Sequence, residues 1–190
     1  MDLARLTLRG VVGSLMVGHG TQKLFGWFGG HGRDATGSAF ESMGLRPGKR
    51  HATAAGVAET AGGALLVLGA LTPVAAAAIT GVMITAIRKV HIQNGPWAAN
   101  GGYEYNLALI GLSAALAETG PGQPSVDDAR FPNLRGPVYA LLALAAGAAG
   151  SYLATERFTE PAPEADQPGS DPAVESGRFV REEERAATAS

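Results

Sequence analysis

Apolar positions in this chain are gathered into long blocks, with polar residues held between them. Residues 3–25, 52–71, 73–91 and 103–117 are rich in Ala, Leu, Val, Ile, Gly and Thr. A helix needs about 20 mostly apolar residues to cross the hydrocarbon of a bilayer, so these blocks predict four membrane-spanning helices. The fourth covers roughly 22 Å at ~1.5 Å per residue, and so needs its flanks or a thinned bilayer. A fifth run, 138–154, follows Pro137 and is mostly Ala, Leu and Gly. It predicts a fifth span, with a helix lying in the interface or against the bundle as the alternative. The expected fold is all-α: a polytopic transmembrane helical bundle of four core spans plus a C-terminal helix.

The joints agree with this reading. Thr72-Pro73 between the second and third runs suits a tight hairpin, because Pro is tolerated at the first helical position and discourages helix before it. The longer loop 26–51 opens with Trp27 and Phe28, aromatics that suit a membrane interface. Within it, Asp34 is expected to cap a short helix that Gly44 ends, with Phe40 and Met43 on one face. The chain divides into a four-helix membrane part (1–122), a linker with an extra apolar helix (123–154) and a disordered polar tail (155–190) rich in Pro, Glu, Ser and Arg. Arg5 and Arg9 before the first apolar stretch would also fit a secretory signal, but no A-x-A cleavage pattern follows, so an uncleaved first helix is the better reading.

Composition adds constraints. Glycine supplies 27 of the 190 residues, about twice the usual share of roughly 7%, and small residues let helices pack closely in lipid. A net charge of −2 with no basic run gives no reason to expect nucleic acid as a partner. With no Cys in the chain, thiolate metal sites and thiol exchange by its own residues are excluded.

Within the second run stands one carboxylate, Glu59. An ionised carboxylate in hydrocarbon is costly, so it needs a cation close by or takes up a proton, and either condition marks a functional-site candidate. Gly56, Gly62 and Gly63, at i−3, i+3 and i+4, give it a smooth face suited to packing against another helix. If the end of the first span defines side B of the membrane, chain direction brings His19, Gln22, Lys23, Arg88, Lys89, His91, Asn94, Tyr103 and Glu104 to the same half as Glu59. His19, Gln22 and Lys23 share a face by their i, i+3, i+4 spacing, and Arg88 and His91 by i, i+3. The expectation is one enclosed polar chamber. Glu59, His19, His91 and Glu104 are its candidate catalytic groups, and Gln22, Lys23, Arg88, Asn94 and Tyr103 its candidate ligand-binding groups. The alternative is that these side chains pair with one another to fix helix register, or snorkel to the surface. No spacing of the H-x-x-x-H or H-E-x-x-H kind occurs, and no metal is expected. Lys and Arg near the span ends favour side B, which would make it cytoplasmic; without Lys23, Arg88 and Lys89 the two sides balance.

Four ordered blocks resemble the DoxX family of bacterial membrane proteins: Gly18-His19-Gly20-Thr21-Gln22-Lys23-Leu24-Phe25-Gly26 with Phe28-Gly29-Gly30; Ala58-Glu59-Thr60-Ala61-Gly62-Gly63 with Leu68 to Pro73; Val90-His91-Ile92-Gln93-Asn94-Gly95; and Gly101-Gly102-Tyr103-Glu104-Tyr105-Asn106-Leu107. The resemblance covers about residues 3 to 122. It implies a four-helix integral protein of the bacterial inner membrane, multi-pass, from which the run 138–154 and the tail depart. It also implies a link to quinone-associated thiosulfate oxidation and to membrane redox complexes that meet oxidative or thiol stress with soluble enzymes. The function expected is a membrane component of a redox system, its polar chamber binding a quinone or a small sulfur-containing substrate. A soluble redox enzyme and further copies of the chain are the expected partners, with the lipid bilayer as surroundings. The competing reading is a non-enzymatic scaffold, or a carrier of small molecules or protons.

Overall fold

The computed structural model describes residues 2–161, so most of the expected polar tail lies outside the described residues. Among the described residues all regular structure is helical: α1 (Leu3–Phe25), α2 (Gly32–Ser42), α3 (Gly48–Leu68), α4 (Thr72–Ala86), α5 (Glu104–Thr119), α6 (Val126–Arg130) and α7 (Pro137–Tyr152). Two helices are extended by π turns, α4 through Ile87–His91 and α7 through Leu153–Arg157. The five long helices follow the five apolar runs. α7 carries on past 154, where the apolar run ends.

α1 and α3 run antiparallel and in very close contact, because glycines face glycines. A Cβ at Gly63 would stand 2.5 Å from the Gly13 carbonyl oxygen, and one at Gly20 would stand 2.6 Å from that of Gly56. No side chain fits there, so the stripe of small residues sets the helix separation. Gly62, on the other side of α3, faces Ala75 and Ile79 of α4. The α3–α4 joint turns through Gly69, whose φ of +60° ends α3 in the left-handed region, and Pro73 stands at the start of α4.

The core is continuous from α1 to α5, through Val12 and Met16, Leu66, Ala75, Ile79 and Met83, then Leu109 and Leu116. α7 closes on it with Ala140 and Ala143 against Ala76 and Ala117. Gly147 lies against Thr80, and Ser151 meets Thr85 at 2.9 Å, so α7 runs parallel to α4. It packs against the bundle along its length. Outer faces remain apolar: Val138, Leu141, Leu142, Leu107, Val74 and Val11 are all more than half exposed. Thr72–Asn94 and Pro137–Arg157 are long and apolar enough to cross a membrane, with only 28% of each window buried.

In the 26–51 connection, α2 forms as expected and packs on α3, but Asp34 is not its cap. It lies inside the first turn, and His31 holds the N-cap position without a side-chain bond.

Candidate functional site

Glu59 lies about 16 Å along α3 from Gly48, counted at ~1.5 Å per residue, and is 2% exposed. Both of its oxygens accept from Lys23 Nζ in the last turn of α1, at 2.7 and 3.0 Å. The close α1–α3 contact makes this reach short: glycines remove the bulk that would hold the two helices apart. His19, one turn before Lys23, stands within electrostatic reach of the carboxylate. Its ring meets Tyr105, in the first turn of α5, edge-on with centroids 6.3 Å apart. Tyr105 is itself within reach of the Glu59 charge.

The result is a layered group. The carboxylate is fully enclosed, the Lys23 side chain is 24% exposed, and Tyr105 is 43% exposed. Acid, base and two ring groups thus form a graded path from the interior to the bundle surface. Such a set can bind an anion or carbonyl oxygen, and can pass a proton between Glu59 and an outer acceptor.

Of the groups expected in one chamber, the structure brings together Glu59, Lys23 and His19. The others are occupied elsewhere. Gln22 donates to the Phe28 carbonyl at 3.1 Å and pins the turn after α1. Arg88 bonds Thr155 Oγ1 at 2.9 Å and Glu156 Oε1 at 2.7 Å, at the end of α7. His91 Nδ1 meets the Gly101 carbonyl at 2.7 Å and Asn94 donates to the same oxygen at 3.2 Å. Glu104 accepts from the Ala98 amide at 2.8 Å. Tyr103 lies at the base of this 95–103 loop, its own amide donating to the Gly95 carbonyl. These residues do share one end of the bundle, as chain direction required, but they brace its loops. Arg88 and His91 also part company because they lie in a π turn, where residues three apart no longer stand one above the other.

Two buried charges at the opposite end were not anticipated. Asp127 of α6, 2% exposed, accepts from the Leu71 amide at 2.7 Å, the Thr72 amide at 2.8 Å and the Thr72 hydroxyl at 2.6 Å. It thereby caps α4 from more than fifty residues away. Arg9, 3% exposed, donates to the Val67 carbonyl at 2.6 Å and to the Pro124 carbonyl, capping the end of α3. Arg9 carried a sequence signal, since a guanidinium inside an apolar run is as notable as a carboxylate. Asp127 carried none.

An all-helical bundle with apolar outer faces and an ion pair in its interior defines a membrane-type helical protein. Residues 4–92, just under half of the chain, match the DoxX family model, and this match supports membership of the DoxX family. The match takes in α1 to α4, with both Lys23 and Glu59, and stops before Tyr105. No curated protein and no solved structure matches the chain. Family and apolar helices together make this a membrane-associated protein.

Proposed function

We propose that the protein is a multi-pass component of the bacterial inner membrane, with all five long helices crossing the bilayer, and that it serves a redox system through the Glu59 site. The observation that carries this reading is the bidentate Lys23–Glu59 pair, fully enclosed at the acid and open at the base. The donor set suits a quinone head group: the Lys23 ammonium, the His19 ring and the Tyr105 hydroxyl can each donate to a carbonyl oxygen. A bound quinone supplies two-electron, two-proton chemistry. Glu59 would hold one of the two protons, Lys23 would balance the carboxylate when that proton has left, and His19 would relay both protons between the site and its surroundings. An oxyanion of sulfur would use the same cation. With no Cys in the chain, a soluble partner enzyme would carry the thiol or electron chemistry.

Full pairing of both carboxylate oxygens also favours a second reading, in which the pair fixes helix register in a scaffold or carries protons or small solutes without redox chemistry. The test is to purify the protein from its own membranes in mild detergent with its native partners retained, and to measure bound quinone and quinol-coupled reduction. Glu59→Gln and Tyr105→Phe should each lower quinone content by about tenfold, equivalent to the loss of one good hydrogen bond. Unchanged quinone content and activity in both variants would remove this site from the mechanism. Absence of redox activity in the wild type would favour the second reading.

A further inference from the structure

Directly after Tyr105, α5 turns a carboxamide into the bundle interior. Asn106 is 5% exposed, and among the described residues its only side-chain hydrogen bond runs from Nδ2 to the Met83 thioether sulfur, at 3.3 Å. A thioether is a weak acceptor, and a buried amide left with so weak a partner is costly. Met83 also fixes the depth of this contact. Gly62 of α3 faces Ala78 and Ile79 of α4, and the two helices are antiparallel. Three residues back along α3 and four residues on along α4 therefore reach one level, about 5 Å away at ~1.5 Å per residue. Those residues are Glu59 and Met83. α1 and α4 each touch both α3 and α5, so Glu59 and Asn106 stand on opposite sides of the interior, with Lys23 bonded to the acid and Met83 to the amide. Tyr105 and Asn106 lie about 100° apart around α5 and serve different sides: Tyr105 meets His19 on the outer one, Asn106 holds the inner one.

We propose that Asn106 is the inner pole of the Glu59 site and its specificity-determining residue, donating to the far oxygen of a ligand whose near oxygen lies against Lys23, His19 and Tyr105. The class it selects is a flat ring with oxygens at opposite ends, a para-quinone head. A compact sulfur oxyanion is satisfied by the outer donors alone and gains nothing from the amide. Met83 holds the amide until the ligand offers a better acceptor, and the exchange favours binding because a carbonyl oxygen accepts more strongly than a thioether sulfur. This inference rests on the ligand-binding reading of the Glu59 site and goes further by choosing between its two ligand classes.

The test uses the full chain in mild detergent, titrated by calorimetry with tetramethyl-p-benzoquinone, which leaves no free ring position for lysine to attack, and separately with thiosulfate. Asn106→Leu should weaken quinone binding about tenfold, the loss of one good hydrogen bond, and leave the thiosulfate affinity within about twofold. Met83→Leu conserves volume and leaves the amide no partner but the ligand, so it should tighten quinone binding about threefold. A purely structural bond between the two side chains would give the opposite sign. In infrared spectra of the bound quinone, Asn106→Leu should return one carbonyl band to its position in apolar solvent and leave the other displaced. Wild-type quinone affinity in Asn106→Leu, with Glu59→Gln and Tyr105→Phe weakened, would overturn this inference alone. So would equal losses of quinone and thiosulfate in Asn106→Leu, weaker quinone binding in Met83→Leu, or a wild type that binds thiosulfate and no quinone. A wild type that binds neither would refute the ligand-binding reading of the Glu59 site, and this inference with it.

Discussion

The two ends of the bundle bury charge in different ways. At the α3–α4 turn, Arg9 and Asp127 bond mainly to backbone: the Val67 carbonyl at the end of α3 and the Pro124 carbonyl of the linker accept from the guanidinium, and amides at the start of α4, with the Thr72 hydroxyl, give to the carboxylate. At the other end Glu59 is satisfied by one flexible side chain, Lys23, itself open to the surroundings. Backbone partners cannot move without unwinding a helix, whereas a lysine can swing away and be replaced by a ligand. On the proposed function, one end is a lock and the other an exchangeable site, although both consist of deeply buried ionisable groups.

Substitutions can break this contrast, and Asp127→Ala should have the largest effect. It removes three hydrogen bonds and leaves the buried Thr72 amide and the part-buried Leu71 amide orphaned at the start of α4, a loss of about 4 kcal/mol. Thermal unfolding in detergent should report it, while the quinone binding proposed for the Glu59 site should be unchanged in the protein that remains folded. Arg9→Met should follow at about 3 kcal/mol, because it takes the guanidinium donor from the Val67 and Pro124 carbonyls at a helix end and in a loop.

The exchangeable end should be milder and asymmetric. Lys23→Met leaves Glu59 enclosed without its cation and should cost about 2 kcal/mol, moderated by proton uptake. Glu59→Gln leaves only a lysine that can extend outward and should cost under about 1 kcal/mol. Adding Glu59→Gln to Lys23→Met should recover part of the stability that Lys23→Met loses. Equal penalties at both ends would erase the distinction between lock and site. Smallest of all should be Arg88→Gln: its pair with Glu156 is part-exposed, and pairs of that kind contribute little, so its melting curve should overlay that of the wild type.

The helices were legible because run length and apolarity are local properties, and Glu59 because one carboxylate in such a run is conspicuous. Its link to Lys23 and His19 was legible too, since chain direction fixes which ends meet and i, i+4 spacing fixes the face. Direction does not give rotation about the helix axis, and the single chamber failed on that point. Arg88 turns toward α7, whose last turn, with Thr155 and Glu156, lies beyond the apolar run that marked the helix. His91, Asn94 and Glu104 gather around the 95–103 loop, whose need for hydrogen-bond partners becomes evident only once its path is known. Tyr105 meets His19 in place of Tyr103, two residues earlier, because position along the chain says little about which tyrosine faces α1. Asp127 reaches a helix start far away in sequence, through a contact that no local pattern announces.

An exchangeable partner for Glu59 should leave a spectroscopic trace. Infrared difference spectroscopy on the purified, lipid-embedded protein, recorded on adding a water-soluble benzoquinone head group, tests it most directly. A carboxyl band should shift on addition, vanish in Glu59→Gln and persist in Arg88→Gln. A spectrum that does not change on addition, or one whose changes are identical in wild type and Glu59→Gln, would contradict it.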